Sequence, residues 1–597
     1  MIDPITVEVL RNRLDAIANE MQATLLRSSV SIILKEGEDC SCGLFDLAGE
    51  TIAQACANPL HLGIMSPAVL SILRSFPVES MKDGDVYILN DPYLGGTHLP
   101  DVIVAVPIMA KGKPVAISTA LAHQEDMGGK SPGSMASDSV EICQEGLIIP
   151  PLRLYDGGEA NQTLFALLRR NVRLPETLTG DLDAQIASVK VGARGYVSML
   201  EEFGAPIVAD AIATLSRQAA SLTRQRLKEI PDGAYLFHDY VDNDGIDLDR
   251  MLRIEVKMLV TDGQVMLDFT GTASQAKGPI NLGYWGTVSA VSFVFRAFAG
   301  SDIPVNRGSA DFVRVVVPEG TLLNPRYPAP VAIRAHTAKR VVDVVFGALA
   351  QAVPDRVMAA SAGSMSVCSF GGVRSGTSKR FGCTDIVAGG MGARPGLDGI
   401  DLVETDITNC MNIPAEALEA HFPLRVVAMN YRGDSGGEGK FRGGLGIQRT
   451  LEATDGPIQC SFRSDRHRTA PWGLSGGKAG GKWESYIERT DGTTEEVPSK
   501  RVFVLNKGDR LAMRTGGGGG FGDPLQRDVD AVLNDVIDRK VSAHSARSDY
   551  GVVIDERAWA VDRTATDDLR ARLREQRGPI TWLFDRGDGT LEQRNAP

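Results

Sequence analysis

The stretch VYILNDPYLGGTHLPDVIVAV, residues 86–106, decides the fold of the first third of the chain. Two apolar runs, 86–89 and 102–106, flank a loop rich in Asn, Asp, Pro and Gly, which predicts two strands joined by turns. A third run, 116–121, predicts another strand. The same texture extends from about Ile32 to Pro151, so we expect a strand-rich region there.

Three residues that can bind a metal lie beside these predicted strands: His98, Asp101 and His123. Two imidazoles and one carboxylate form a facial set that suits zinc, manganese or ferrous iron and leaves coordination positions open. Strand ends also support side chains rigidly. The alternative is that His98 and Asp101 only share a hydrogen bond that stabilises the turn. Spacing alone leaves both interpretations open.

Several segments of the chain resemble the hydantoinase B family. This family includes the B subunits of ATP-dependent hydantoinases (the N-methylhydantoinase type) and oxoprolinases, and the metal-bearing subunits of acetone-type carboxylases. The resemblance runs along nearly the whole chain in the family's order. The matching segments are 35–46, 90–101, 122–129, 144–151, 180–185, 434–446 and 516–524.

The resemblance implies that His98, Asp101 and His123 hold a divalent transition metal, zinc or manganese being the first expectation. Asp39 matches an acidic position of the family, and we expect it beside the metal or among its ligands. His61, in an Asn-Pro-Leu-His-Leu-Gly segment, is expected to face the same cavity. A histidine flanked by leucines is alternatively a core residue.

Glu125 and Asp126 follow His123 closely and are candidates for proton transfer or for supporting a ligating imidazole. The alternative is that both cap a turn at residues 128–129. Two positions depart from the common family pattern, which often has a histidine where this chain has Gln124 or Ala57. We expect these changes to reshape the pocket near the metal.

The implied activity is that of the metal-bearing B subunit of an ATP-dependent cyclic-amide hydrolase of the hydantoinase, oxoprolinase or lactamase type. In such a system an A-type ATPase subunit phosphorylates the small cyclic amide, and the activated ring is opened on this chain in a hetero-oligomer. One alternative is the metal-bearing subunit of an ATP-dependent ketone carboxylase, since the same triad serves both. Another is a non-catalytic scaffold for the ATPase subunit.

No nucleotide-binding pattern occurs in the sequence, so ATP is expected on the partner. The run Gly516 to Gly520 lacks the Lys-Ser/Thr of a phosphate loop and predicts tightly turned backbone. Ser435, beside Gly436 and Gly437, indicates a turn first and a nucleophile only weakly. Further upstream, three basic residues precede a predicted helix at Val341, and they either hold an anion or make internal ion pairs. These are Arg334, His336 and Arg340.

Bulk properties narrow the class of protein. The 597 residues are 43% hydrophobic and 23% charged, with a net charge of −12, which opposes nucleic-acid binding. No apolar stretch has membrane-spanning length, and the first residues lack a signal-peptide pattern, so we expect a cytoplasmic protein. The eight cysteines are scattered, which fits reduced thiols, and Cys40 and Cys42 are interpreted as buried.

The predicted fold class is mixed α/β of the α+β type, with several domains, many strands and glycines, and helices at both ends. Predicted helices begin at Asp3 and Pro4, cover about 205–230 and 341–353, and recur at 527–540 and 566–575; a hairpin covers 252–269. The predicted divisions are a metal-binding domain, 1–230, a hairpin and helix domain, 231–355, a glycine-rich β domain, 356–525, and a helical tail, 526–597.

Overall fold

The computed structural model describes residues 2–309 and 312–587. Within them the chain is a multi-domain mixed α/β protein, which confirms the predicted fold class. No helix in those ranges combines the length and the apolar character needed to cross a membrane. The predicted domain boundaries stay predictions, and residues 588–597 of the predicted tail lie outside the described residues.

A seven-stranded sheet with antiparallel pairings carries the candidate site. Its strands are β1 Cys40–Phe45, β2 Thr51–Gln54, β3 Val86–Leu89, β4 Asp101–Ala110, β5 Lys113–His123, β6 Leu152–Asp156 and β7 Glu159–Ala160. Their spatial order is β2-β1-β5-β4-β3-β6-β7. The three strands predicted from the apolar runs are β3, β4 and β5, which are thereby confirmed.

Six helices accompany this sheet: α1 Pro4–Ser28, α2 Ile32–Lys35, α3 Pro59–Ser75, α4 Gln162–Asn171, α5 Pro175–Phe203 and α6 Ala205–Leu227. The predicted start of α1 is confirmed, because the Asp3 carboxylate accepts from the Thr6 N–H and Pro4 is the first helical residue. The helix predicted near 205–230 is α6. The predicted strand-rich region, about 32–151, also contains helices α2 and α3, which were not predicted. In α3 the internal Gly63 and Pro67 are typical of turns.

Both faces of the seven-stranded sheet are buried. Val102 and Val104 on β4 pack with residues of α1 and α5, whereas Ile103 and Ala105 pack with residues of α3. Because side chains alternate along a strand, residues 101, 103 and 105 face α3 and residue 102 faces α5. Burial on both sides explains why the sequence of β4 is a continuous apolar run.

A four-stranded sheet follows, formed by β8 Gly233–Val241, β9 Leu252–Thr261, β10 Gln264–Asp268 and β11 Val313–Val316 in the order β11-β10-β9-β8. Strands β9 and β10 pair antiparallel, which confirms the predicted hairpin. Helices α7 Tyr284–Ala299 and α8 Arg334–Ala352 pack with this sheet.

Helix α8 begins at Arg334 rather than at the predicted Val341. The basic residues therefore belong to its first two turns, and all are buried. Arg340 pairs with Asp465 at 2.9 Å and with Asp239 at 3.3 Å, and Arg334 pairs with Asp101 at 2.6 Å. The internal ion pairs are thus observed for both arginines. Their partners lie far away in sequence, which is why this polar start of a buried helix was not predicted.

The later part of the chain holds two larger sheets, two two-stranded sheets, β17-β24 and β22-β23, and several helices. One larger sheet has the order β13-β12-β16-β20 and the other β14-β15-β21-β18-β19. The elements are β12 Ser366–Val373, β13 Arg380–Val387, α9 Ala415–His421, β14 Leu424–Tyr431, β15 Ile447–Ala453, β16 Ile458–Arg463, β17 Gly473–Leu474, β18 Glu484–Glu488, β19 Thr494–Glu496, β20 Lys500–Leu505, β21 Arg510–Arg514, α10 Val529–Ile537, α11 Ala543–Ser548, β22 Ile554–Asp555, β23 Ala560–Val561, α12 Arg563–Arg577 and β24 Phe584–Asp585. Helices α10 and α12 correspond to the two predicted tail helices.

The glycine run 516–520 is buried and packed backbone against backbone. The Gly518 N–H donates to the Gly444 carbonyl at 2.9 Å, and the Gly437 N–H donates to the Gly518 carbonyl at 2.8 Å. A Cβ atom added at Gly518 would lie 2.1 Å from the Met391 carbonyl oxygen. Glycine is required here because neighbouring backbones approach more closely than any side chain allows.

Candidate metal centre

Strand register brings Asp39, Asp101 and His123 together. In the antiparallel pair of β4 and β5, Asp101 lies directly opposite His123. On the other side of β5, the His123 N–H donates to the Asp39 carbonyl at 3.0 Å, one residue before β1 begins. Asp101 and His123 face the side of the sheet covered by α3, where His61 lies.

His98 joins this group through the turn that precedes β4. The Asp101 N–H donates to the His98 carbonyl at 3.0 Å. The His98 Nδ1 lies 3.1 Å from the Ala332 carbonyl oxygen, just before α8, and its Nε2 lies 3.3 Å from Asp101 Oδ1. A carbonyl can only accept, so Nδ1 carries the proton and Nε2 keeps a lone pair directed at the site.

The residues present fit a metal ion. One donor atom from each of His98, Asp101 and His123 lies within 4.8 Å of the others, and all three side chains are buried. His98 Nε2, Asp101 Oδ1 and His123 Nδ1 are buried without a hydrogen-bond partner among the described residues. Unsatisfied buried donors and acceptors are costly, and a metal ion would satisfy all three atoms at once.

The electrostatics of the site keep its nitrogens neutral and its carboxylate ionised. Burial, with the nearby Arg334 guanidinium, lowers the pKa of His98 to about 4. Burial also lowers the pKa of His123 to about 4, against the attraction of Asp39. Burial opposes ionisation of Asp101, but His98 and Arg334 hold the pKa of that carboxyl well below its usual range. Neutral imidazole and ionised carboxylate are the forms that coordinate metals.

Asp39 and His61 border the triad. The His61 Nε2 lies 3.6 Å from both Asp39 Oδ1 and Asp101 Oδ2. The Asn58 amide donates to Asp39 Oδ1 at 3.2 Å. His61 is only 1% exposed, as expected for a core residue. It also lines the cavity beside the triad, as the family resemblance implied. Asp39 also lines the cavity but is not part of the three-residue group whose donor atoms lie within 4.8 Å of one another, so its role as a metal ligand stays a prediction.

Glu125 and Asp126 do not line the cavity. The Asp126 carboxylate accepts the N–H groups of Gly128 and Gly133 and pairs with Arg173 Nη1 at 3.0 Å, so the turn-capping alternative describes it. Glu125 is fully buried, and burial with the nearby Asp181 raises its pKa to about 8.

The two departures from the family pattern also lie away from the cavity. Gln124 follows His123 and points to the opposite face of the sheet, where its amide donates to Gln185 of α5 at 3.0 Å. Ala57 is buried and is not a lining residue either. Neither side chain therefore lines the described cavity, and the expected effect of these two positions on the pocket stays a prediction.

His98 and His123 of the triad line a small cavity of about 50 Å³, enough for an ion and at least one water molecule. Apolar side chains form much of its wall: Leu60, Met135, Ile333, Met365, Val367 and Ile386. Two arginines and a further histidine also line it: Arg334, Arg463 and His336. Arg463, at the end of β16, was missed in the sequence because no local motif marks it.

Glu145 contacts the backbone that holds the His98 ring. It was not predicted as a site residue. Its carboxyl group accepts the N–H groups of Val331 at 3.1 Å and Ala332 at 3.0 Å. The Ala332 carbonyl is the partner of His98 Nδ1. Glu145 thus fixes the backbone that fixes the His98 ring. Burial raises the pKa of Glu145 to about 8.

The family model described as hydantoinase B/oxoprolinase matches residues 3–524. The chain belongs to this family. A relative from Pseudomonas sp. (strain NS671), named as the putative B subunit of a D-/L-hydantoinase, is 33% identical, with 95% of this chain and 98% of the relative covered.

Two solved structures are similar to this member of the hydantoinase B/oxoprolinase family. The crystal structure of the ATP-dependent caprolactamase from Pseudomonas jessenii matches with a TM-score of 0.87 and 30% identity, covering 96% of this chain and 100% of that chain. The nucleotide-free structure of acetone carboxylase matches with a TM-score of 0.88, covering 96% of this chain and 83% of that chain. Its identity is 21%, so it shows a shared fold alone.

Proposed function

We propose that this chain is the metal-bearing B subunit of an ATP-dependent cyclic-amide hydrolase. The observation that carries the proposal is the buried triad of His98, Asp101 and His123. Each residue has one side-chain atom without a hydrogen-bond partner among the described residues, and the two histidines line a cavity. The names of two relatives, one from a hydantoinase and one a caprolactamase, support a cyclic amide as the substrate class. Apolar walls suit the carbon skeleton of such a ring.

The chain's own residues have distinct roles in this proposal. His98, Asp101 and His123 would hold a zinc or manganese ion, which when bound supplies Lewis-acid chemistry to a carbonyl or a water molecule. His61 would take up and return a proton, because its Nε2 lies 3.6 Å from Asp39 and from Asp101. Arg334 holds Asp101 ionised and in place through the 2.6 Å contact.

The proposed partner is an A-type ATPase subunit that phosphorylates the substrate. The hydantoinase relative is itself named as one subunit of an enzyme, which supports such a partner. We expect the isolated chain neither to bind nor to hydrolyse ATP, and we expect it to form a stable complex with the ATPase subunit. Calorimetry that detects micromolar ATP binding to the isolated chain would contradict the proposal that ATP binds only to the partner subunit.

The test of reaction class follows phosphate release and organic product together. The complex of both subunits, loaded with metal, is given ATP and a panel of hydantoins, lactams and ketones, with and without bicarbonate. We expect phosphate release coupled to opening of a cyclic amide, independent of bicarbonate. Coupling only to a ketone plus bicarbonate would replace the hydrolase by a carboxylase, which the shared fold with acetone carboxylase keeps as the second candidate.

The scaffold alternative makes a different prediction. If the chain only supports the ATPase subunit, removal of the metal should leave turnover unchanged. We expect chelation to abolish turnover while circular dichroism shows a folded chain, because the strands that carry the triad are held by their own core.

A further inference from the structure

We infer that Arg463 and His336 form an oxyanion subsite that holds the phosphoryl group of the activated substrate beside the metal centre. The inference rests on the proposed function, because it takes the phosphorylated ring as the ligand. Both side chains line the cavity that His98 and His123 also line. They come from separate elements, β16 and α8, and so meet only in the folded chain.

Arg463 is a buried cation without a carboxylate partner among the described residues. It is 2% exposed, and its Nη1 donates to Ser369 Oγ at 3.2 Å and to carbonyl oxygens of Met135 and Ser461 at 3.5 and 3.3 Å. Within the part of the chain that the structure describes, the hydrogen-bond partner of its Nη2 is the Met135 sulfur, at 3.2 Å. Thioether sulfur is a weak acceptor, so Nη2 keeps donor capacity for a stronger one.

Comparison with other buried cations shows that this arrangement is unusual within the described chain. Arg449 pairs with Asp385 at 3.0 Å, Arg466 pairs with Asp343 at 2.6 Å, and Lys339 pairs with Glu404 at 2.8 Å. An unpaired buried charge is expensive. Arg463 bears that cost at the wall of the cavity, where an anionic ligand would offset it.

His336 adds a neutral donor. Burial, reinforced by the surrounding cations, lowers its pKa well below the ordinary value. Its Nδ1 lies 3.2 Å from Ser364 Oγ. A phosphoryl oxygen at Nε2 would select the tautomer in which the Ser364 hydroxyl donates to Nδ1 and Nε2 carries the ring proton. A neutral imidazole can donate one hydrogen bond to a phosphoryl oxygen without further charge in the wall.

The charge balance favours a dianion over a monoanion. A divalent ion together with the guanidinium groups of Arg334 and Arg463 outweighs the carboxylates of Asp39 and Asp101 by two charges. Guanidinium forks match the geometry of phosphate oxygens. A phosphoryl dianion therefore neutralises the cavity, whereas a carboxylate or bicarbonate leaves one positive charge.

The test measures binding of inorganic phosphate to the full chain loaded with metal, by calorimetry. Arg463→Met should weaken phosphate binding at least tenfold, with an unchanged metal content and a thermal midpoint that is equal or higher, because a buried unpaired charge is gone. Arg463→Lys should bind with an intermediate affinity. Arg468→Met is the matched control, since Arg468 is exposed and lies five residues along the same segment.

Three outcomes would overturn the subsite. One is phosphate binding by Arg463→Met as tight as that of the wild type, and another is no phosphate binding by the wild type. The third is bicarbonate or acetate binding more tightly than phosphate, which would remove the phosphoryl assignment. The phosphate titration uses neither ATP nor a cyclic amide. Its result therefore tests the subsite even if the complex does not hydrolyse cyclic amides.

Discussion

At the scale of single residues, the ring orientation of the candidate ligand His98 is fixed by the contact of its Nδ1 with the Ala332 carbonyl. We predict that His98→Ala lowers the metal content to well below one ion per chain while circular dichroism remains native. His544→Ala is the control, since His544 is exposed on α11. Full metal occupancy in single variants of all three triad residues would reject the site.

Glu145 permits a prediction that separates hydrogen bonding from charge. With a pKa of about 8 its carboxyl is largely protonated at neutral pH, so Glu145→Gln should bind metal nearly as well as the wild type. Glu145→Ala removes the acceptor for two N–H groups and should weaken metal binding about 10–100-fold. Metal titration with a competing chelator measures both, and equal affinities for the two variants would contradict the positioning role.

The same residue predicts a direction for pH dependence. The unfolded carboxyl ionises near 4.5, whereas the folded one stays protonated to about 8. The unfolded state therefore binds fewer protons between these values, and the free energy of unfolding contributed by Glu145 falls as pH rises through this window. Denaturant unfolding of the metal-free chain should show the wild type losing stability relative to Glu145→Gln from pH 5 to 8. A difference that is constant with pH would be inconsistent with the raised pKa.

At the scale of elements, α5 supports the strands behind the triad. The Gln185 amide donates to the carbonyls of Val102 on β4, at 2.8 Å, and Ala120 on β5, at 3.2 Å. Gln185→Leu leaves these carbonyls and Gln124 short of a partner, and we predict a loss of about 1–3 kcal/mol in the free energy of unfolding. Chemical denaturation measures it, with Gln218→Leu on the exposed side of α6 as the control. A loss no larger than that of the control would show that α5 does not brace the strands in this way.

The helices and strands differ in how well they could be predicted from the sequence. Strands β3, β4 and β5 were predictable because both faces are buried and their apolar runs are continuous. Helix α3 was not, because Gly63 and Pro67 are typical of turns and only tertiary packing against the sheet makes them helical. For the site, His98, Asp101 and His123 were predicted as metal ligands from the family resemblance of segments 90–101 and 122–129. Arg463 was not predicted, because it reaches the cavity from β16 through long-range folding that no local spacing reveals.

At the scale of the whole molecule, the glycine-rich segments form a core made of backbone. We predict that Gly518→Ala costs at least about 3 kcal/mol or abolishes folding, because the new methyl group would lie 2.1 Å from the Met391 carbonyl oxygen. Gly283→Ala is the control, since its Cβ would meet nothing nearer than 3.7 Å. Thermal unfolding compares the two, and similar midpoints would argue against close backbone packing.

That backbone core has a genetic consequence. Every missense change in a glycine codon introduces a side chain, so the codons of residues 516–520 have no neighbouring amino acid that preserves the packing. An apolar side chain elsewhere in the protein can be exchanged among Leu, Ile, Met and Val with a small loss of stability. A deep mutational scan should therefore find this run as intolerant of substitution as His98, Asp101 and His123.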